Sequence, residues 1–84
     1  MRNPIVAGNW KMHGSRASII ELVEGIKQGL EDLPASVELL VFPPAVFIDM
    51  THRLLTDNQR IAWGAQNVSA EPQGAFTGEI STGM

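Results

Sequence analysis

Three short apolar runs, separated by two stretches with helical periodicity, limit what this chain can fold into more than any other feature. Ile5-Val6-Ala7 is the first run, Val37-Glu38-Leu39-Leu40-Val41-Phe42 the second, and Ile61-Ala62-Trp63-Gly64-Ala65 the third. Runs of this length bounded by Gly, Pro and Asn read as strands. Between the first two, Ile19, Leu22, Val23, Ile26 and Leu30 recur at the spacing of a single apolar stripe on an α-helix. Ser15 or Ser18 caps that helix, Ser18 and Glu21 have capping-box spacing, and Asp32 and Pro34 close the segment. Pro44 fits the first position of a second helix, with Val46, Phe47, Met50 and Leu54 on one face and an end near Asp57-Asn58.

Strand, helix, strand, helix, strand is the order of an α/β fold with parallel strands joined by right-handed helical crossovers. The second run is almost continuously apolar up to Pro43 and Pro44, as suits a strand covered on both faces. Residues 68–78 are rich in Ser, Pro, Gly and Ala and read as a long loop. Residues 79–84 read as the start of another helix, with Ser81 as its cap. No internal repeat or domain boundary interrupts the 84 residues.

Composition removes several function classes. Six Lys plus Arg against nine Asp plus Glu give a formal net charge of -3, which argues against a nucleic-acid partner. The longest apolar stretch, residues 39–48, is broken by two prolines and falls short of the ~20 residues a membrane span needs. With no cysteine there is no disulfide framework, and a reducing cytoplasm is permitted. No His, Asp and Glu set has metal-ligand spacing, so no metal is expected. The charge is uneven: the first twenty residues carry Arg2, Lys11 and Arg16 and no carboxylate. Such an end can face a small anion, although chance in a short chain explains it equally well.

Gly8-Asn9-Trp10-Lys11 falls where the first strand ends, and parallel α/β folds bind ligands outside the carboxyl ends of their strands. Asn offers donors and an acceptor, and the Lys ammonium suits a phosphate or a developing oxyanion. Taken alone the spacing is weak, because most loop lysines are solvated and a loop Asn usually serves its own turn. His13 and His52 read as surface residues. Glu21, Glu24, Glu31 and Asp32 form a wet helix face, and Trp10 and Trp63 pack.

Ala7-Gly8-Asn9-Trp10-Lys11-Met12 resembles, letter for letter, the first strand-to-loop motif of the triosephosphate isomerase family. Phe42-Pro43-Pro44 resembles that family's second strand end, Gly64-Ala65-Gln66-Asn67 its third, and Gly74-Ala75-Phe76-Thr77-Gly78-Glu79-Ile80-Ser81 its third loop. Four motifs in order, spread over essentially the whole chain, are far more specific than any one. The resemblance implies a (β/α)8 TIM barrel, of which residues 1–84 would form the first β-α-β-α-β portion, the N-terminal third of a single domain.

The resemblance also implies interconversion of dihydroxyacetone phosphate and glyceraldehyde 3-phosphate without a cofactor, in the cytoplasm, by a homodimer. It further implies a glutamate base, a neutral histidine electrophile and a closing loop that tune the acid and base chemistry. None of these three parts matches a residue here, so the chain alone is expected to be inactive. Asn9 and Lys11 carry over as catalytic and substrate-binding residues. Thr77, Phe76, Gly74 and Gln66 carry over to the dimer interface, with Thr77 reaching the partner's site through the 68–78 loop. Asn67 and Glu79 resemble residues that surround that site. Two other readings are a small non-catalytic phosphate-binding module and a purely structural role through the 68–78 loop. Three strands cannot close a barrel of ~250 residues, so the rest of the ring is expected to be needed for a stable fold.

Overall fold

The computed structural model describes residues 3–84, so Met1 and the expected cation Arg2 lie outside the described residues. Strands β1 (Ile5–Asn9), β2 (Glu38–Phe42) and β3 (Ile61–Trp63) form a parallel sheet in the order β1-β2-β3. β1 runs two residues past its apolar triplet, because Gly8 and Asn9 continue the ladder opposite Val41 and Phe42. β3 stops at Trp63, earlier than the apolar run suggests, although the Gly64 N–H still donates to the Val41 carbonyl at 3.0 Å.

Helix α1 (Arg16–Leu30) follows the expected stripe, with Ile19, Val23 and Leu30 buried. Its cap lies one turn earlier than the Ser18 and Glu21 pair suggests. Ser15 is extended and its Oγ accepts from the Ser18 N–H at 3.2 Å, while Ser18 Oγ accepts from the Ser15 N–H at 2.8 Å. Ser18 thus takes the place Glu or Gln usually holds in a capping box. Leu22 lies on the flank of the stripe and is exposed.

The second helix differs from expectation. Pro44 is extended and precedes a 3₁₀ turn (Ala45–Phe47), which leads into α2 (Ile48–Leu55). A 3₁₀ turn winds at three residues per turn, so Val46 falls out of phase with the α-helical stripe and is 82% exposed. Thr51 and Leu55 are the buried residues, with Phe47, Met50 and Leu54 packed partly beside them. Residues 79–84 form no helix. A turn closes there through the Met84 N–H and the Ser81 carbonyl at 3.2 Å, and Ser81 is buried instead of capping. A single turn fixes several dihedrals for one hydrogen bond, which is the unfavourable step in starting a helix.

Both helices pack on one face of the sheet. Val41 and Ile61 join Ile19, Val23, Leu30 and Leu55 in the core, with Leu39 and Trp63 alongside. Side chains alternate along a strand, so Ile5, Ala7, Asn9, Leu40, Phe42 and Ala62 share the other face. Among the described residues no helix covers that face, and Ile5 at its base is 62% exposed. The accessible surface of 6374 Å² therefore exceeds the roughly 4,900 Å² of a compact protein of 9.1 kDa. The radius of gyration, 14.3 Å, likewise exceeds the ~12 Å usual for this length. Among the described residues no helix is long and apolar enough to cross a membrane.

Arg60 joins three parts of this structure. Its guanidinium donates to the carbonyls of Leu30 at 3.0 Å, Pro34 at 2.6 Å and Val37 at 3.1 Å. It thereby supplies a cation to the C-terminus of α1 and pins the connection into β2. Its own carbonyl accepts from the Leu39 N–H at 3.0 Å, and its N–H donates to Asn58 Oδ1 at 3.0 Å.

Candidate functional site

The carboxyl end of the sheet collects the residues that the sequence singles out. Asn9 ends β1 on the uncovered face, and the ladder's last rung runs from the Trp10 N–H to the Phe42 carbonyl at 3.1 Å. Lys11 then adopts φ +54, a left-handed conformation that side-chain-bearing residues rarely take. Strain of this kind costs of order 1–3 kcal/mol and persists only where neighbouring contacts enforce it.

Two side chains enforce it here. Asn9 Oδ1 accepts from the Lys11 N–H at 2.8 Å. From beyond the carboxyl end of β3, at the opposite edge of the sheet, Gln66 Nε2 donates to the Lys11 carbonyl at 2.9 Å and to the Phe42 carbonyl at 2.8 Å. Asn9 thus does serve its own turn, as loop asparagines do, and this uses its oxygen. Among the described residues its Nδ2 group donates to nothing in the chain, and the ion pairs present join other residues than Lys11. Asn9 and Lys11 are both exposed.

Beyond Lys11 the loop is anchored at Gly14, where φ is +143. A Cβ there would crowd Ile19 Cδ1 at 3.1 Å and Phe47 Cε2 at 3.2 Å, and the backbone conformation itself favours glycine. The loop is therefore fixed at both ends, by the β1 ladder and by the junction of α1 with the 3₁₀ turn.

Residues 68–78 have defined structure without helix or strand. The Ser69 N–H donates to the Ile80 carbonyl at 2.7 Å and closes the base of the excursion. Inside it the Glu79 N–H donates to the Phe76 carbonyl at 3.0 Å, and the Glu71 N–H to Ser69 Oγ at 3.1 Å. Ends that meet around a short excursion define an Ω-loop, in keeping with the long loop that the composition suggests. The Phe76 ring lies over Gly74 so closely that a Cβ there would come within 2.8 Å of its Cε2. Phe76 is half exposed, and Thr77 is exposed.

The remaining titratable residues lie elsewhere. His13 is exposed, and the His52 ring sits 5.0 Å from that of Trp63, tilted by 55°, on the flank of the sheet. Lys27 donates to Asp57 Oδ1 at 3.0 Å, and that hydrogen bond holds the Asp57 carboxyl below its usual pKa. Among the described residues no three His, Cys, Asp or Glu side chains could hold a metal ion together. The sequence reading missed the two-way grip of Gln66 and the role of Arg60, because neither side chain has a partner near it in sequence.

Comparison with known proteins gives the same reading as the motifs. The triosephosphate isomerase family model matches residues 4–84. A triosephosphate isomerase of Coxiella burnetii (strain Dugway 5J108-111) is 52% identical over 83 residues, which cover 99% of this chain and 32% of the relative. Its counterpart from Pseudomonas putida (strain GB-1) is 52% identical over 82 residues, covering 96% of this chain and 32% of the relative. That from Aliivibrio fischeri (strain MJ11) is 44% identical over 85 residues, covering 100% and 33%. The chain spans about a third of the length of the curated relatives it matches. With a strand-end motif, a parallel sheet and a match over nearly every residue in agreement, the chain belongs to the triosephosphate isomerase family.

Proposed function

We propose that this segment supplies the electrostatic part of an active site that interconverts dihydroxyacetone phosphate and glyceraldehyde 3-phosphate through an enediolate. The observation that carries this reading is the left-handed Lys11 at the tip of β1, tied down on both sides and with no carboxylate partner among the described residues. A cation fixed in place before substrate arrives needs no reorganisation as charge builds up. In this reading the Lys11 ammonium draws in the dianionic substrate and steadies the enediolate oxygens. Asn9 directs its Nδ2 donors at the same oxygens while its Oδ1 keeps the turn.

The proton transfers belong to a base and an electrophile with no counterpart in these 84 residues. The segment by itself is accordingly expected to be inactive, and the reaction uses no cofactor. Assembly as a cytoplasmic homodimer through the 68–78 loop belongs to the same proposal. Gly74, Phe76 and Gln66 would lie at that interface, and Thr77 would reach toward the partner's site. The closed base of the loop and the packing of Phe76 on Gly74 support a preformed shape for docking.

The test is Lys11→Ala in a full-length barrel that carries this segment. Loss of one preorganised charge-stabilising donor costs ~2.7–4 kcal/mol in the transition state, or at least about a hundredfold in kcat. A loss below tenfold would reject the role of Lys11.

A further inference from the structure

The Gln66 carboxamide makes two bonds that the fold of its own segment does not require. It lies three residues beyond β3, yet both its hydrogen bonds reach back to earlier strand ends, one across 55 residues to the Lys11 carbonyl and one across 24 to the Phe42 carbonyl. Both acceptors are backbone oxygens, so one NH2 group with two hydrogens is the matching donor. The Phe42 carbonyl also accepts the Trp10 N–H at 3.1 Å. Trp10, Lys11, Phe42 and Gln66 thus form one connected set around the strained residue.

Any substitute lacking two donors breaks the set. A carboxylate of the same shape would turn an oxygen toward two carbonyl oxygens, and an aliphatic chain would leave the Lys11 carbonyl without its donor and the Phe42 carbonyl with the Trp10 N–H alone. Lys11 has a second support in the Asn9 bond to its N–H, but that bond holds only the side of the residue facing β1. The carbonyl side is held by Gln66. With that grip removed, the left-handed strain at Lys11 is free to relax toward ordinary backbone.

We propose that Gln66 is a positioning residue for Lys11, keeping its backbone left-handed so that the ammonium is aimed before substrate arrives. This rests on the reading of Lys11 given above. Gln66 itself need not touch substrate. Its effect arises through geometry, where a misplacement of about 1 Å can cost on the order of a hundredfold in rate.

A double-mutant cycle in a full-length barrel carrying this segment tests the proposal, with Gln66→Glu and Gln66→Met each combined with Lys11→Ala. Each Gln66 variant alone is expected to lower kcat by about tenfold to a hundredfold. Neither is expected to lower it much further once Lys11 is alanine, because residues that act as a unit lose their effects together. Equal losses in both backgrounds, or unchanged kcat in the single variants, would overturn the role of Gln66. Full activity of Lys11→Ala by itself would sink the reading of Lys11 and this inference with it. If Lys11→Ala is slow while the Gln66 variants keep full activity, only this inference fails. A readout independent of turnover is hydrogen exchange at the Lys11 amide, expected to quicken about tenfold in Gln66→Met. Unchanged exchange there would also count against the inference, even if a variant were too unstable to assay.

Discussion

Arg60→Met is the substitution whose cost follows most directly from the structure. Two of the carbonyls held by its guanidinium, those of Leu30 and Val37, are partly buried, whereas the third, that of Pro34, is exposed and water can replace the bond. Hydrogen bonds from a charged donor contribute about 1.5–3 kcal/mol each, so the two sheltered ones together contribute about 3–6 kcal/mol. The helix-end position adds about 0.3–1 kcal/mol. Against this, the buried Nε has no partner among the described residues, which costs about 1 kcal/mol, and about 2 kcal/mol of side-chain freedom is recovered on removal. The net cost is about 2 kcal/mol, or roughly thirtyfold in an equilibrium. Hydrogen exchange reads this locally, at the amides of Leu33, Val37 and Leu39, which bond to the carbonyls of Leu30, Pro34 and Arg60. Protection at these three is expected to fall by about thirtyfold, with little change at the β1 amides. Arg60→Lys is expected to restore only part of it, since a point-like ammonium cannot match a three-carbonyl fork. Protection within about twofold of the parent in Arg60→Met would refute the capping role.

Two further outcomes follow from single side chains. Thr51 is fully buried and its Oγ1 has no partner among the described residues, so Thr51→Val in a full-length barrel carrying this segment is expected to raise stability by about 1 kcal/mol in a urea titration. A loss of stability would mean that the hydroxyl has a partner. The Lys27 hydrogen bond lowers the Asp57 pKa from its ordinary 3.8, so the pair's contribution is complete above that value and fades as pH falls through the lower folded value. A carboxyl titration followed by NMR is expected to show the Asp57 midpoint below 3.8 in the parent and near it in Lys27→Met. Equal midpoints would dismiss the ion pair.

The order of the elements was legible because periodicity is a local property. Ile19, Val23 and Leu30 are buried as their spacing predicts, and the three apolar runs form the three strands. The position of the strand-end motif was legible too, since Gly8, Asn9, Trp10 and Lys11 sit consecutively at the tip of β1 and its connection. Local reasoning failed where a register shifted. Val46 has the apolar character of a stripe residue, but the 3₁₀ turn ahead of α2 rotates it outward, and Thr51 is buried in the core. Ser15 and Ser18 share the α1 cap because the helix begins one turn before the apolar pattern makes it visible.

Sequence by itself determined the α/β order, the family and the residues at the tip of the first strand, all of which depend on neighbours a few positions apart. Only the tertiary structure decided how those residues are held. Gln66 reaches Lys11 because parallel strands bring their carboxyl ends together, and Arg60 reaches Leu30 because β3 starts beside the end of α1. A side chain's partner across a sheet is set by register and packing, and a one-dimensional pattern carries no record of either.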